Sequence, residues 1–314
     1  MLQTPIAPVR SAAARSLLDH TLSPTDMPLP SPIVSALVRR ALQVQLALAA
    51  SATGLAAQDA ADHAPFDALL RAHVSNGAVD YDAFKSDPRF ATYLASLDRV
   101  RPEALSDAER LAYWINVYNA FTIHLINSRN ERESIRNINK SFGLLKLKGP
   151  WSDPIVRAAG RTLTLDQVEH EIIRKQFNEP RIHFALVCAA IGCPPLRREA
   201  YTGAKLEAQL TEQGRMFIRE SPDRNRVDVR SRTVYVSPVF SWYKEDFGNS
   251  DRGIGAYIAK WYPPGPERSL LESGGFRLVK TDYDWTLNSQ ENMSERAKPS
   301  ARSVSQQPRE LTRQ

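Results

Sequence analysis

Cysteine is nearly absent: 314 residues contain two, Cys188 and Cys193. A framework of several disulfides is excluded. Structural zinc is also disfavoured, because it takes four ligands and His63, His73, His124, His170 and His183 each sit alone in the chain. The chain also lacks any Lys/Arg run or basic stripe interleaved with aromatics, and its formal charge is only +6. The electrostatic footprint of a nucleic-acid binder is missing. No Gly-rich phosphate loop, dinucleotide fingerprint or H-E-x-x-H occurs, so no cofactor or metal is expected. Internal repeats and heptad arrays are absent as well. With 42% hydrophobic residues, the middle of the chain can still bury an ordinary core.

What is present begins with Arg39-Arg40, the run ALQVQLALAASATGLAA and its exit at Leu55-Ala56-Ala57 before Gln58. A charged flank, an apolar run and small residues at the exit form a secretory signal. The run is too short and too weakly apolar to span a membrane. Counted from Met27, the segment before it has an ordinary length. We expect 1–57 to be leader and signal peptide, and the mature chain to start near Gln58, be periplasmic or secreted, and have no stable membrane span. At the other end, 289–314 has almost no large apolar residues and reads as a disordered tail. One domain, 58–288, remains.

Helix and strand signals alternate in this domain without the regularity of a doubly wound sheet. Phe66, Leu69, Leu70, His73 and Val74 fall at helical spacing, and Asn76-Gly77 stops that helix. Ser106 and Glu109 form a capping box that opens LAYWINVYNAFTIHLINS, a core helix carrying two amides, Asn116 and Asn119. Thr164 and Gln167 form a second box, opening a helix to about Phe177. RIHFALVCA reads as a strand with His183 on one face and Cys188 on the other. TVYVSP is a short strand, VFSWYKEDF a helix and RLVKTDYDW a closing strand. The expected fold is α+β, a single domain with central helices packed on a small, mostly antiparallel sheet.

The stretch RIHFALVCAAIGCPPL, 181–196, holds both cysteines and His183. It admits three readings: a local disulfide, a metal site, or a nucleophile with its base. A disulfide suits two cysteines in an oxidising compartment. A catalytic thiol needs an imidazole in reach, from His183 or His170, and Asp166 stands one helical turn before His170. Of the two thiols, Cys193 is the expected nucleophile, since the rigid turn Gly192-Cys193-Pro194-Pro195 exposes it, while Cys188 shares a buried strand face with Phe184 and Leu186. Asn116 and Asn119 are candidates to orient an imidazole or stabilise an oxyanion. Together with His170 and His183 they are expected to form one polar floor.

Taken together, LAYWINVYNAFTIHLI, the G-x-x-L-T-L-x-x-x-E-H run ending at His170, PRIHFALVCAAIGCPPLRREAYT, SPVFSWYKEDF and DYDWTLN resemble the domain of unknown function 547 family over nearly all of 66–288. The family's motif positions fall on Trp114, Asn116, Tyr118, Asn119, Glu169, His170, Arg174, Arg181, His183, Cys188, Cys193 and Pro194. The resemblance implies organisation rather than an activity. The enzyme reading is a Cys/His-dependent hydrolase or acyl-transferase of papain-like or transglutaminase-like style, acting on a small-molecule or peptide substrate. In those superfamilies, however, the nucleophile starts the core helix, and this helix has no cysteine. The other reading is a non-catalytic interaction or scaffold domain with a Cys188–Cys193 disulfide.

Overall fold

A computed structural model describes residues 61–138 and 149–297, so the expected leader 1–57 lies outside the described residues. Pro65 and Asp67 in the first turn and Arg71 and His73 in the last suit α1, Ala64–His73, which buries Phe66, Leu69 and Leu70. A tight hairpin, β1 Val74–Ser75 and β2 Ala78–Val79, follows across Asn76-Gly77. Asp80 caps α2, Tyr81–Ser86, and Asp87 caps α3, Pro88–Leu97.

The central element is α4, Asp107–Ser128, opened by the Ser106/Glu109 capping box in both directions. It is buried on nearly every side from Leu111 to Asn127. Such a helix is the core of the domain rather than a surface stripe. The hairpin β3 Val156–Ala158 and β4 Arg161–Leu163 packs beside it. The Thr164/Gln167 box forms as expected, but the helix it opens is a π-helical stretch, Gln167–Ile173, running into the short α5, Arg174–Gln176.

Helix α6, Leu206–Arg219, leads to a three-stranded sheet of β5 Arg226–Asp228, β6 Thr233–Val236 and β7 Arg277–Lys280. β5 and β6 are antiparallel and β6 and β7 parallel. The crossover carries α7 Val239–Trp242, a 3₁₀ turn Lys244–Phe247, α8 Asp251–Ala259 and α9 Pro266–Ser273. The fold is α+β with small sheets, as the sequence implies. A larger core surrounds α4, and a second, aromatic core gathers Phe184, Phe217, Phe240 and Phe247 beside the three-stranded sheet.

Two expectations fail. RIHFALVCA is not a strand: Pro180–Phe184 is a 3₁₀ turn, and the chain then runs irregularly to Gly192. Ile182 enters the larger core and Phe184 the aromatic one, so the segment bridges two cores and its apolar run has no strand partner. Side-chain amides replace a ladder: Asn119 serves Ala185 O and Val187 N–H, and Gln213 Nε2 donates to Phe184 O. The expected tail is also corrected at its start, because α10 covers Gln290–Ala297. Polar contacts hold it, with Asn292 Nδ2 donating to Arg132 O and Leu287 O and Gln290 Nε2 to His73 O. These contacts bury no large apolar side chain, so the low apolar content of the segment does not exclude a helix here. Residues 298–314 lie outside the described residues.

Candidate functional site

Cys188 and Cys193 form a disulfide. It closes the loop in which Ala189 adopts a positive φ of 62°. The loop is tied to the C-terminal strap by Ile191 N–H to Thr286 O and Gly192 N–H to Asp284 O. A Cβ on Gly192 would meet the Tyr283 ring and Asp284 N at 3.0 Å, so any larger residue would push the ring back by a few tenths of an ångström and glycine suits this close approach. Tyr283 Oη lies 3.1 Å from each sulfur and donates to them, since a disulfide has no hydrogen to give.

The exposure of the two cysteines is the reverse of the expectation. Cys193 is buried at 2% and Cys188 is half-buried. The turn packs inward because Gly192 lets Tyr283 close over it. Among the described residues, neither sulfur has an imidazole as hydrogen-bond partner.

His183 is buried and its Nε2 lies 2.6 Å from Asp246 Oδ2. Asp246 also takes a forked ion pair from Arg174, through Nε at 2.8 Å and Nη2 at 3.1 Å. Those donors hold its carboxyl well below the usual range, with His183 contributing most. Burial lowers the His183 imidazole against the pull of Asp246, so a neutral ring donating from Nε2 is the state that fits. The Tyr243 ring stacks on it at 3.8 Å between centroids.

His170 is exposed and reaches Arg174 Nη1 at 3.2 Å through Nδ1. Asp166, expected to orient it, instead accepts from Ser152 Oγ at 2.6 Å. The wider π-helical winding removes the i, i+4 alignment on which that expectation rested. Glu169 is buried near Tyr118 and Tyr243, and burial together with its charge pushes both phenols well above the ordinary value. His183 and His170 therefore converge on Tyr243, Arg174 and Asp246.

The two asparagines do not join them as a floor. Asn116 exchanges hydrogen bonds with the Tyr201 backbone, giving Nδ2–H to O at 2.8 Å and receiving N–H at 3.0 Å. Asn119 does the same with Ala185 O and Val187 N–H, both at 2.9 Å. Each amide is used up in pinning a loop to α4. Asn119 borders the His183 segment, while Asn116 holds a different loop.

In the sequence Glu169 and Arg174 are legible as motif positions, with Glu169 adjacent to His170 and so unable to orient it, and nothing there ranks Tyr243, Asp246 or Tyr283. The signal available was the polar residues inside SWYKEDF and DYDW, which composition alone does not rank. Next to Tyr283, Trp242 is 49% exposed and contacts Tyr283 and Trp285. Among the described residues, no cluster of His, Cys, Asp and Glu has the makings of a metal site. No described helix is long and apolar enough to cross a membrane.

Residues 102–218 match the model of a family described as "Protein of unknown function, DUF547", which supports kinship with that family. Neither the curated proteins nor the solved structures contain a match.

Proposed function

We propose that the protein is an exported, non-catalytic interaction domain whose loop 188–193 is stapled by a structural disulfide. The observation that carries this reading is the state of the groups a thiol enzyme would use. Both sulfurs are bonded to each other, and among the described residues neither has an imidazole as hydrogen-bond partner. Asn116 and Asn119 are likewise spent on backbone. Export is the compartment in which such a bond persists.

A second reading, a Cys/His-dependent hydrolase or acyl-transferase using Cys193, has one observation in its favour: Cys193 lines a cavity of about 460 Å³. It needs an external dithiol, which would be oxidised as the Cys188–Cys193 bond is reduced to two thiols.

Iodoacetamide labelling of the full chain, located by mass spectrometry, separates the two. The interaction domain gives no labelled cysteine until reductant is added. Rapid labelling of Cys193 without reductant, slowed by His183→Ala, would overturn it. N-terminal sequencing of the exported protein tests the compartment, and the expected first residue lies near Gln58.

A further inference from the structure

The cavity of about 460 Å³ behind the disulfide loop is lined by Arg197, Arg198 and Arg224 and by a single acidic residue, Glu212. That glutamate is already taken: Arg197 Nη2 binds Glu212 at 2.7 Å and Glu199 at 2.5 Å. Arg198 is exposed and spends one donor on Arg71 O.

Arg224 differs from both. It is half-buried, and its one side-chain hydrogen bond among the described residues is Nη2 to Ile191 O at 2.6 Å. A guanidinium has five N–H donors. No carboxylate among the described residues lies within ion-pair distance of it, and nearby Asp284 is occupied by Arg296. Burial pulls the Arg224 guanidinium below the usual arginine value, and the more distant charges of Asp223 and Asp284 only partly offset it. The rest of the wall is apolar or weakly polar, with Ile191, Pro194, Leu196, Met216 and Met293 among its members.

We infer that this cavity is a binding site for a small carboxylate on a compact apolar body, with the Arg224 fork taking the carboxylate and the methionine and proline wall taking the body. A planar fork matches a carboxylate in two parallel hydrogen bonds, and the half-desolvated setting strengthens them. Unbranched thioethers adapt to bodies of differing shape. The site goes beyond the interaction-domain reading and does not depend on thiol chemistry, because Arg224 and the wall face the cavity with the disulfide closed.

The test titrates hexanoate, hexanamide and inorganic phosphate into the full-length oxidised protein by calorimetry. Hexanoate is expected to bind at one site, with hexanamide and phosphate weaker by about 10-fold or more. Arg224→Gln should weaken hexanoate by about 10- to 100-fold, since a charge-assisted hydrogen-bond pair is lost. Met293→Trp, which fills the cavity and keeps the arginine, should abolish binding while leaving the circular dichroism spectrum unchanged. No hexanoate binding, equal binding of hexanamide or phosphate, or hexanoate affinity unaffected by either variant would overturn the inference. None of these outcomes bears on whether the cysteines label.

Discussion

Nε2 of His183 donates to Asp246 across 2.6 Å, joining the 3₁₀ turn that carries the histidine to the turn after α7. The bond ties the bridging segment of the larger core to a wall of the aromatic one. His183 is sandwiched there, stacked on Tyr243 and against Phe247 at 5.5 Å. The ring is oriented by the carboxylate and kept neutral by burial.

Acid should therefore weaken the fold before it protonates Asp246. Burial lowers His183 and His124, and it lowers His63 to about 4, all from an ordinary 6.5. A histidine depressed in the folded state binds fewer protons than in the unfolded chain. Its contribution is full above 6.5 and is lost as pH falls through the folded value. Asp246 is depressed too, so its contribution persists above the ordinary carboxylate value and goes only in stronger acid. Urea unfolding should show lower stability at pH 5.0 than at pH 7.5, with about 2 kcal/mol of the difference from His63 alone. His63→Phe should shrink the difference. A stability that rises on acidification would contradict the argument.

Asn119→Ala should destabilise by about 2–6 kcal/mol, because it leaves Ala185 O and Val187 N–H buried without partners at about 1–3 kcal/mol each. Asn116→Ala should cost a similar amount through Tyr201. The two losses should add, since the amides pin different loops. Urea melts of the single and double variants check this. Strong coupling between them would instead indicate one shared polar site.

Both capping boxes and the identity of α4 were legible because they depend on residues close in sequence, Ser106 with Glu109 and Thr164 with Gln167. The segment 181–189 has the apolar run of a strand yet bridges two cores, because such a run describes burial but not the geometry of what buries it. Phe184 and Ile182 enter different cores, an arrangement that only the later chain from Phe217 to Trp261 creates. The partner of His183 was hidden for the same reason. Asp246 looks like any surface aspartate in YKEDF until the crossover from β6 to β7 folds it back onto the imidazole. The disulfide was one of three readings of the cysteine pair, and spacing could not choose among them.

Reducing the Cys188–Cys193 bond should lower stability by about 2 kcal/mol, the loop entropy restored to the unfolded chain by opening so short a loop. Paired urea melts with and without dithiothreitol measure it, with the Cys188→Ser/Cys193→Ser double variant as a control insensitive to reductant. Tyr283→Phe should cost about 1 kcal/mol in the oxidised protein, since its hydroxyl gives up its contact with the sulfurs. Equal stability with and without reductant would mean that the strap contacts of Ile191 and Gly192 hold the loop without the bond.

Gly214 sets two effects of opposite sign against each other. It lies within α6, where alanine in place of glycine normally stabilises a helix by about 1 kcal/mol. The position of its missing Cβ, however, is occupied by the Trp261 indole, with the nearest carbon 2.1 Å away and two more within 2.6 Å. An indole is rigid, and Trp261 is half-buried against the aromatic core, 6.3 Å from Phe184 and 6.4 Å from Tyr257 between ring centroids. Making room therefore means moving the whole ring rather than rotating a flexible end, and overpacking of that kind costs about 1–3 kcal/mol. The clash should win, so that Gly214→Ala melts at a lower temperature than the parent. Adding Trp261→Leu should change the sign of the substitution, because with the ring gone only the helix propensity of alanine remains. Thermal melts of the four proteins close the double-mutant cycle. Gly214→Ala melting higher in both backgrounds would show that the indole yields freely and that the glycine is not there to admit it.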